Sequence, residues 1–449
     1  MIGLFLIPVV ARTAPQEDSI AKRFELEPAW DEAFFKPLGV AAAQIQARYV
    51  EDVDPAKLLV GAYQGILNSL DDFSSYIPPD RLEEFEGDTK GEFGGLGIQI
   101  RFLPLEKMLR VEQPIPGTPA FRLGILTGDI IIRVKEEATG ETIETSQFKD
   151  VHDAVRVLRG EPGTKVTITV VHEGTGKEED ITLERAIIKI PGIYAPQMID
   201  DNWKIGYVYV PAFHERTVED LKNAIQQLQG QGLKALILDL RFNPGGLLPS
   251  AIDISDLFLG DVVVVSTHGR ASPDFTFRAR ADDILKDAPL VVLLNRHSAS
   301  ASEIVAGAIK DNGRGIVIGE TTYGKGSVQT VIPLRDRQGA LKLTTAFYYT
   351  PSGVCIEKTG VSPDVEIKLT DQELRGLARK LAALADLSAQ PGPKQQAPPK
   401  PQGPGGEQET PKEAPFRDVQ LERAVDILIG ILIQQQKQQA AETAQAVAH

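Results

Sequence analysis

The stretch that decides the fold is residues 290–310, LVVLLNRHSASASEIVAGAIK. Its first five residues, Leu290–Leu294, are all apolar, which is typical of a strand buried on both faces of a sheet. A polar turn follows, and apolar side chains then recur at helical spacing over Ser302–Lys310. A buried strand joined to a helix is the repeating unit of a mainly parallel sheet, because parallel neighbours need a crossover connection.

The same alternation of strand and helix extends from about Ile190 to Thr370. Further strands are predicted at 205–210, 235–240 and 262–266, and further helices at 217–228 and 248–257. We therefore expect an α/β core at residues 184–386, which ends in a helix at 371–385. This section is the part of the chain that can hold an enzyme site.

Composition divides the rest of the chain into further sections, so the expected fold class is α/β and β with several domains. Residues 15–90 have helical spacing, with a helix start at Asp54-Pro55. Residues 91–183 hold short β-branched runs and glycine turns, which are typical of a β-rich module. Residues 387–416 are rich in Pro and Gln and predict an extended linker. Residues 417–449 predict an apolar-periodic helix that docks on the body of the chain or on a second subunit.

The N-terminal residues 1–14 have some features of a targeting segment. Gly3–Val10 is apolar but too short to span a bilayer, which takes about 20 residues. No basic residue precedes this run, although a secretory signal normally has one. We interpret residues 1–14 as the remnant of a secretory signal or a membrane anchor.

Composition and charge argue against several classes of protein. The 449 residues carry 48 Lys and Arg against 62 Asp and Glu, a net charge of −14, whereas nucleic-acid binding needs a basic face. Cys355 is the only cysteine in the sequence, so no internal disulfide can form. The six histidines form no HxxxH or HExxH pair, so we expect no metal site and no cofactor.

Three serines stand between the buried strand and the next helix. Ser298, Ser300 and Ser302 are each placed where a hydroxyl reaches the carboxyl edge of the sheet, close to the N–H groups that begin a helix. A serine nucleophile needs such groups because its tetrahedral intermediate carries an oxyanion. Serines also precede helices merely to cap them, and spacing alone does not choose among the three.

A serine nucleophile needs a base, and few histidines are placed to supply it. Only His449 follows the serines, there is no GxSxG elbow, and His214 and His268 stand in no site-like context. Lys325, in the sequence TYGKGSVQ at 322–329, is the other candidate. An amine with a pKa of about 10.4 is neutral in about one molecule in 2500 at pH 7, so burial would have to lower its pKa to about 7–8. Gln329 could orient the amine without stabilising its cation as a carboxylate would. The alternative is an exposed lysine in a turn.

Two glycine-rich turns are further candidates. Asn243-Pro244-Gly245-Gly246 follows a buried strand and precedes a helix, so its N–H groups could form part of an oxyanion hole. Phe93–Ile98, FGGLGI, places glycines directly before a strand, where backbone N–H groups can hold a peptide carboxylate while the strand edge pairs with the peptide. Each motif by itself also fits an ordinary tight turn.

Taken together, these motifs resemble those of the carboxyl-terminal processing peptidases, also called tail-specific proteases. The resemblance covers residues from about Tyr49 to Asp364, with a weaker echo at 418–428. The motifs that carry it in the core are SASASEI (298–304), GKG with Gln four residues after the lysine, NPGG (243–246) and YTPSG (349–353). Outside the core, GILTGD (124–129) and LRG (158–160) are similar to the family's PDZ module, and LDDFSSY (70–76) to its helical N-terminal section.

The resemblance implies a role for individual residues. Ser300 corresponds to the nucleophile, Lys325 to the general base and Gln329 to the residue that orients the lysine. The backbone N–H groups of Ala301 and Gly246 correspond to the oxyanion donors. The residues implied to bind the peptide tail in the PDZ-like module are Gly95, Leu96, Gly97, Ile98 and Arg159.

The implied function is that of a serine endopeptidase with a Ser–Lys dyad, which cleaves unfolded or tagged proteins near C-termini recognised by the PDZ module. Repositioning of that module would gate the activity. The implied partners are protein or peptide C-termini, not nucleic acid. A homo-oligomer through the C-terminal helix and a regulatory adaptor protein stay open. The implied location is the bacterial periplasm or cell envelope after export, with membrane association through the N-terminus.

Two other classes of protein are alternatives. A catalytically silent PDZ scaffold would bind tails without hydrolysis, and the intact set of Ser300, Lys325 and Gln329 argues against it. An acyl-CoA enzyme would also use strand–helix crossovers and backbone oxyanion holes, but it gives no reason for Lys325 beside Gln329. His297, Phe242 and the Pro/Gln-rich insertion depart from the family's pattern, and we interpret His297 as a bystander.

Overall fold

A computed structural model describes residues 31–387 and 416–447, except 80, 83–84, 86, 88–90, 104–105, 116–117, 127, 174–175, 272, 281–282, 287 and 335–337. The predicted targeting segment 1–14 and nearly all of the predicted linker 387–416 lie outside the described residues. Among the helices in the described part of the chain, none has the length and apolar character needed to cross a membrane.

The N-terminal section is helical, as its apolar spacing predicts. A π-helical turn at Asp31–Phe35 leads into α1 (Lys36–Arg48), and α2 (Pro55–Asn68) follows. The predicted start of α2 is confirmed, because Asp54 accepts a hydrogen bond from the Ala56 N–H at 2.9 Å. The section also contains strand β1 (Ser75–Ile77), which the sequence did not predict.

The second section is a β-rich module with its own apolar core. Its elements are β2 (Glu92–Gly95), β3 (Ile98–Leu103), β4 (Met108–Pro114), α3 (Pro119–Arg122), β5 (Ile130–Glu136), β6 (Thr142–Glu144), α4 (Val151–Leu158), β7 (Lys165–Val171), β8 (Glu178–Glu184) and β9 (Ala186–Lys189). The main antiparallel sheet has the order β3-β4-β5-β7-β8, with β6 added to β5. Strands β2 and β9 come from the two ends of the module and pair with each other. This pairing brings the entry and exit of the module together.

The third section alternates strands and helices. Its elements are β10 (Tyr194–Asp200), β11 (Ile205–Tyr209), α5 (Thr217–Gly230), β12 (Ala235–Asp239), α6 (Leu248–Asp256), β13 (Val263–His268), β14 (Phe275–Arg278), β15 (Leu290–Leu294), α7 (Ala301–Asp311), β16 (Ile316–Gly319), β17 (Ser327–Pro333), β18 (Ala340–Tyr349), β19 (Val365–Glu366), α8 (Asp371–Leu387) and α9 (Val419–Val447). The central sheet has the order β10-β11-β12-β15-β16-β19, and all its pairs except β10–β11 are parallel. The predicted parallel α/β core is therefore confirmed.

A second, antiparallel sheet stands beside this core. It has the order β1-β18-β13-β14, with β17 also paired to β18. Strand β1 comes from the N-terminal section, and its Ser75 lies opposite Lys342 of β18. The N-terminal section is thus built into the core through a strand pair.

The central sheet is covered on both faces, which explains why its strands are apolar throughout. One face packs against α5, α6 and α7, and the other against α8 and α9. Successive residues of a strand point to opposite layers, so Leu236 and Leu238 belong to the first and Ile237 to the second.

The C-terminal helix α9 docks on the chain's own core. Ala424, Leu428 and Leu432 are buried in the layer that also contains α8. Docking on the body was one of the two predicted arrangements for this helix. The homo-oligomer stays a prediction, and it would have to use a face other than the one buried here.

A buried charge network ties the start of this helix to the end of β12. The guanidinium of Arg241, fully buried, donates from Nη2 to Asp239 Oδ2 at 2.6 Å and from Nη1 to Asp418 Oδ1 at 2.7 Å. Lys380 Nζ donates to Asp418 Oδ2 at 2.9 Å. Burial alone would raise the pKa of Asp418, but Arg241 and Lys380 lower it to about 2. This carboxylate therefore stabilises the fold above about pH 4, and the contribution is lost as the pH falls toward 2.

Replacing Arg241 with alanine is expected to lower the free energy of unfolding by about 3–5 kcal/mol, because buried Asp239 loses its ion-pair partner and Asp418 keeps only Lys380. Arg417→Ala is the matched control. Its ion pair with Glu422, on the same C-terminal segment, is exposed and should contribute little. Urea unfolding at pH 7 measures both variants, and equal small losses would contradict the prediction.

Candidate active site

The serine loop and the glycine turn lie at the same edge of the central sheet. Strands β12 and β15 are parallel neighbours, so the segments after Asp239 and Leu294 emerge side by side. The Asn243 carbonyl accepts hydrogen bonds from the Ala299 N–H at 3.0 Å and the Ser302 hydroxyl at 2.9 Å. These bonds hold the two loops together.

The three serines of the loop differ in what their hydroxyls do. Ser298 Oγ donates to the Leu240 carbonyl at 2.9 Å, and Ser302 Oγ donates to the Asn243 carbonyl. Ser300 Oγ is buried and has no hydrogen-bond partner among the described residues. The structure therefore distinguishes two serines whose hydroxyls donate hydrogen bonds from one whose hydroxyl does not. Spacing alone could not make this distinction.

The backbone at Ser300 is in an unusual conformation. Its φ is 65°, a region that few residues other than glycine adopt. Such strain costs of order 1–3 kcal/mol and is found mainly where the surrounding structure holds a functional group in place. Ser300 directly precedes α7, so the free N–H groups of the first helical turn, beginning with Ala301, lie beside it.

Glu303 joins the serine loop to the lysine loop. Its buried Oε2 accepts from the backbone N–H of Ser300 at 2.5 Å and of Lys325 at 2.9 Å, and its Oε1 accepts from the Gly324 N–H at 2.7 Å. Burial raises the pKa of this carboxyl group, and these hydrogen bonds oppose the shift. We predicted no role for Glu303 from the sequence. The signal that could have found it is a serine followed three residues later by glutamate at a helix start.

Lys325 is 1% exposed, as a lysine base requires. Burial and the nearby Lys342 ammonium lower the pKa of Lys325 to about 8. About one molecule in ten is then neutral at pH 7, far more than for an exposed lysine. Its Nζ lies 4.7 Å from the centroid of the Phe73 ring, which comes from the N-terminal section. The carboxylates whose charges favour the ammonium form are Glu303, Glu357 and Asp71.

Gln329 is fully buried on β17, four residues after the lysine. Its Nε2 donates to Ser327 Oγ at 3.0 Å and to Thr344 Oγ1 at 3.2 Å. Its Oε1 has no hydrogen-bond partner among the described residues. The amide oxygen is therefore the free end of this side chain.

The glycine turn packs directly against the serine. A Cβ added to Gly245 would lie 2.8 Å from Ser300 Cβ and 3.1 Å from the Ala301 nitrogen, so only glycine fits there. The Gly245 N–H donates to Asn243 Oδ1 at 2.8 Å and is used in the turn. Within the described residues, the Gly246 N–H donates to no backbone or side-chain group. Of the two glycines, Gly246 is the one with an available donor.

None of the three histidines in or near the core hydrogen-bonds to Ser300 in the described part of the chain. His214 is buried against Gly91, and His268 lies on β13 with its Nδ1 3.1 Å from Asp274. His297 stacks on the Phe242 ring with 5.1 Å between centroids, so the two departures from the family's pattern pack on each other. Across the described residues, no group of three or more His, Cys, Asp or Glu is placed to hold a metal ion.

The residues predicted to bind a peptide tail lie together in the β-rich module. Gly95 ends β2 and Ile98 begins β3, which is an edge strand of its sheet, and the buried Leu96 lies between them. Gly97 has a φ of 78°, and a Cβ there would clash with the Thr118 side chain.

Arg159 follows α4 and faces the same turn. Its guanidinium carbon lies 4.0 Å from the centroid of the Phe93 ring, and its Cγ lies 3.7 Å from a Cβ built on Gly95. Beside α4 is a cleft of about 410 Å³. The charged groups that line it are Arg81, Arg156, Arg159, Asp153 and Glu161. Arg156 pairs with Asp153 at 3.4 Å and Arg81 with Asp150 at 3.9 Å, and Arg159 is the arginine of the cleft that contacts the turn.

Comparison with known proteins gives the family. The sequence profile described as peptidase family S41 matches residues 204–367. The carboxy-terminal-processing protease of Bartonella bacilliformis is 40% identical over 352 residues, which cover 74% of this chain and 78% of that protein. The carboxy-terminal processing protease CtpA of Bacillus subtilis is 35% identical over 340 residues, which cover 75% and 70%. The chain belongs to the carboxy-terminal-processing proteases of peptidase family S41, which are serine peptidases.

One solved structure among the matches is that of a photosystem II D1 C-terminal processing protease. It is 28% identical to this chain, with a TM-score of 0.46, and the match covers 83% of this chain and 95% of that one. The sequence relatives show that the chain belongs to this family, so it is not an acyl-CoA enzyme. Nothing in the site favours a silent scaffold, since the serine, the lysine and the glutamine are all present and buried.

Proposed function

We propose that the chain is a serine endopeptidase in which Ser300 is the nucleophile and Lys325 its general base. Gln329 orients the lysine amine, and the backbone N–H groups of Ala301 and Gly246 stabilise the oxyanion. The observation that carries this proposal is the buried, uncommitted hydroxyl of Ser300, between two serines whose hydroxyls are bonded to backbone carbonyls.

The steps follow from these groups. Neutral Lys325 takes the Ser300 proton as Oγ forms a bond to the scissile carbonyl carbon, and the negative charge on the carbonyl oxygen is held by the two N–H groups. The lysine ammonium then gives its proton to the departing amine as the C–N bond breaks. A water molecule attacks the acyl carbon while Lys325 accepts one of its protons. The bond from that carbon to Ser300 Oγ then breaks, the lysine ammonium returns the proton to Oγ, and the carboxylic acid product leaves.

The test is incubation of the full chain and its Ser300→Ala variant with an unfolded protein, with products identified by mass spectrometry. Only the wild-type chain is expected to release fragments. Cleavage at equal rates by both proteins would overturn the assignment.

We further propose that the β-rich module acts as a PDZ-like domain that recognises the free C-terminus of the substrate. The turn formed by Gly95, Leu96 and Gly97 would hold the carboxylate, and the edge of β3, starting at Ile98, would pair with the tail. Arg159 supports this proposal, because it lines the cleft beside α4 and also packs against Gly95 of the turn, so it is the residue best placed to pair with the carboxylate.

Two peptides of one sequence, with a free or an amidated C-terminus, test tail recognition. The free carboxylate is expected to lower KM about tenfold or more, since a hydrogen bond to a charged group contributes about 1.5–3 kcal/mol. Arg159→Ala should reduce this difference. Arg122→Ala, an exposed arginine of the same module, should keep it. Undiminished discrimination in Arg159→Ala would show that another group reads the carboxylate.

Location and further partners are also proposals. Export to the periplasm or cell envelope, with membrane association through the N-terminus, is supported by the apolar run at 3–10, which lies outside the described residues. A regulatory adaptor acting on the module and a homo-oligomer are consistent with the proposed gating.

A further inference from the structure

A chain of hydrogen bonds leads from the N-terminal section to Gln329. It begins at Asp71, whose Oδ1 accepts from the backbone N–H of Phe73 at 2.7 Å and of Ser74 at 2.6 Å. Ser74 Oγ lies 2.9 Å from Asp71 Oδ2 and accepts from the Thr344 N–H at 3.1 Å. Thr344 lies opposite Gln329 in the β17–β18 pair and accepts from its amide.

The direction of these bonds is fixed at the Asp71 end. Burial alone would raise the pKa of Asp71, but hydrogen bonds from Ser74 and Phe73 lower it, so the carboxylate is ionised at neutral pH and only accepts. The single hydroxyl proton of Ser74 is therefore drawn to Asp71. The Thr344 hydroxyl oxygen lies 3.4 Å from Ser74 Oγ, which is an acceptor on this side because its own proton points to Asp71.

The hydrogen bonds of Thr344 in turn determine the orientation of the Gln329 amide. With the proton of Thr344 directed toward Ser74 Oγ, Oγ1 of Thr344 is left as an acceptor on its other side. Only the Nε2 end of an amide can donate to it, and the second Nε2 proton goes to Ser327 Oγ. The Oε1 end must then point away from Thr344, and it has no partner among the described residues.

An amide oxygen held in this way is complementary to the lysine amine. Lys325 lies four residues before Gln329, and its Nζ sits over the ring of Phe73, whose own N–H is bonded to Asp71. We propose that Asp71 and Thr344 are positioning residues that present Oε1 of Gln329 to the Lys325 amine. This inference rests on the proposed roles of Lys325 and Gln329.

The reason for such a device is that an amide turned the other way would disable the base. An Nε2–H group facing the lysine would donate to the lone pair of the neutral amine, which is the pair that must accept the Ser300 proton. It would also disfavour the ammonium form. Loss of the positioning chain therefore lowers the rate at every pH and moves the midpoint of the pH profile downward.

Thr344→Val tests the proposal, because valine keeps the shape of threonine without its hydroxyl. We expect kcat/KM of the full chain on an unfolded protein to fall about tenfold to a hundredfold at the high-pH plateau. The midpoint should move to lower pH. Thr344→Ser should restore most of the rate, and Asp71→Asn should behave like Thr344→Val. The control Asp72→Asn, at the exposed neighbour of Asp71, should leave the profile unchanged.

The midpoint separates positioning from mere stability, since a smaller folded fraction scales the whole profile without moving it. Other charges acting on Lys325 come from Lys342, Glu303 and Glu357 and are retained in Thr344→Val. If Thr344→Val keeps the wild-type plateau and midpoint while Lys325→Met is inactive, this inference is overturned and the proposed function stands. An unmoved midpoint without rescue by serine would overturn it as well. Full activity of Lys325→Met would overturn the proposed function and this inference with it.

Discussion

Alanine in place of Ser300 is expected to lower kcat/KM on an unfolded protein by about 10⁶-fold, the order of loss seen when a serine peptidase loses its nucleophile. The physical reason is that no other group is placed to attack. The hydroxyl groups of Ser298 and Ser302 donate hydrogen bonds to the carbonyls of Leu240 and Asn243. The measurement is steady-state hydrolysis with the product quantified by mass spectrometry.

The fold should survive this change. Ser300 Oγ is buried with no hydrogen-bond partner in the described residues, so its removal leaves no polar group unpaired, and the melting temperature should stay the same or rise. Ser302→Ala is the matched control. It removes a bonded hydroxyl and should cost about 1 kcal/mol of stability while keeping most of the activity. The opposite pattern would make Ser302 the nucleophile.

Local patterns in the sequence predicted the parallel core. Its strands are short apolar runs between helices, and the predicted strands at 205–210, 235–240 and 290–294 agree with the structure to within a residue. Helix α4 likewise begins where a local signal places it, with Asp150 accepting from the His152 N–H. These elements are determined by neighbouring residues, which is why the sequence shows them.

Local patterns in the sequence could not predict the antiparallel sheet that contains β1 and β18. Strand β1 has three residues, and Tyr76 pairs with Leu341 across most of the chain. Such a pairing follows from the register of β18, which no periodicity near residue 76 encodes. Since β1 follows Asp71 and Phe73 directly, missing it also concealed the contribution of the N-terminal section to the surroundings of Lys325.

The sequence alone also could not separate the serines. Ser298, Ser300 and Ser302 share one residue type and even spacing, and what distinguishes them is the pair of carbonyl acceptors supplied by residues 240 and 243. Those acceptors come from the neighbouring loop, some 60 residues earlier in the chain. The resemblance to the family supplied the choice of Ser300, and the free hydroxyl is an independent physical reason for it.

Methionine in place of Lys325 is expected to lower kcat/KM by about 10³-fold or more, since a positioned general base contributes about 10²–10⁴ and the serine cannot act without it. Lys325→Arg should be equally inactive, because a guanidinium keeps the positive charge but cannot be deprotonated at any working pH. The double variant with Ser300→Ala should be no slower than Ser300→Ala alone, because the two residues act as one unit. Additive losses would contradict the dyad.

The pH profile of the wild-type chain tests the same base. Its pKa of about 8 predicts that kcat/KM falls about tenfold for each pH unit below 8, since only the neutral amine accepts the Ser300 proton. The Lys342 ammonium helps to lower that pKa, so Lys342→Met should move the midpoint to higher pH with the plateau retained. A midpoint that does not respond to Lys342→Met would remove Lys325 as the titrating group.

In Lys325→Met, stability should change in the direction opposite to activity. The pKa of Lys325 falls from 10.5 to about 8 on folding, which costs about 3 kcal/mol below pH 8, and the cost disappears as the pH rises from 8 to 10.5. Lys325→Met removes this cost, so the inactive variant should resist urea better than the wild-type chain at pH 7. Lys325→Met that is both inactive and less stable would mean that the lysine supports the fold instead of the reaction.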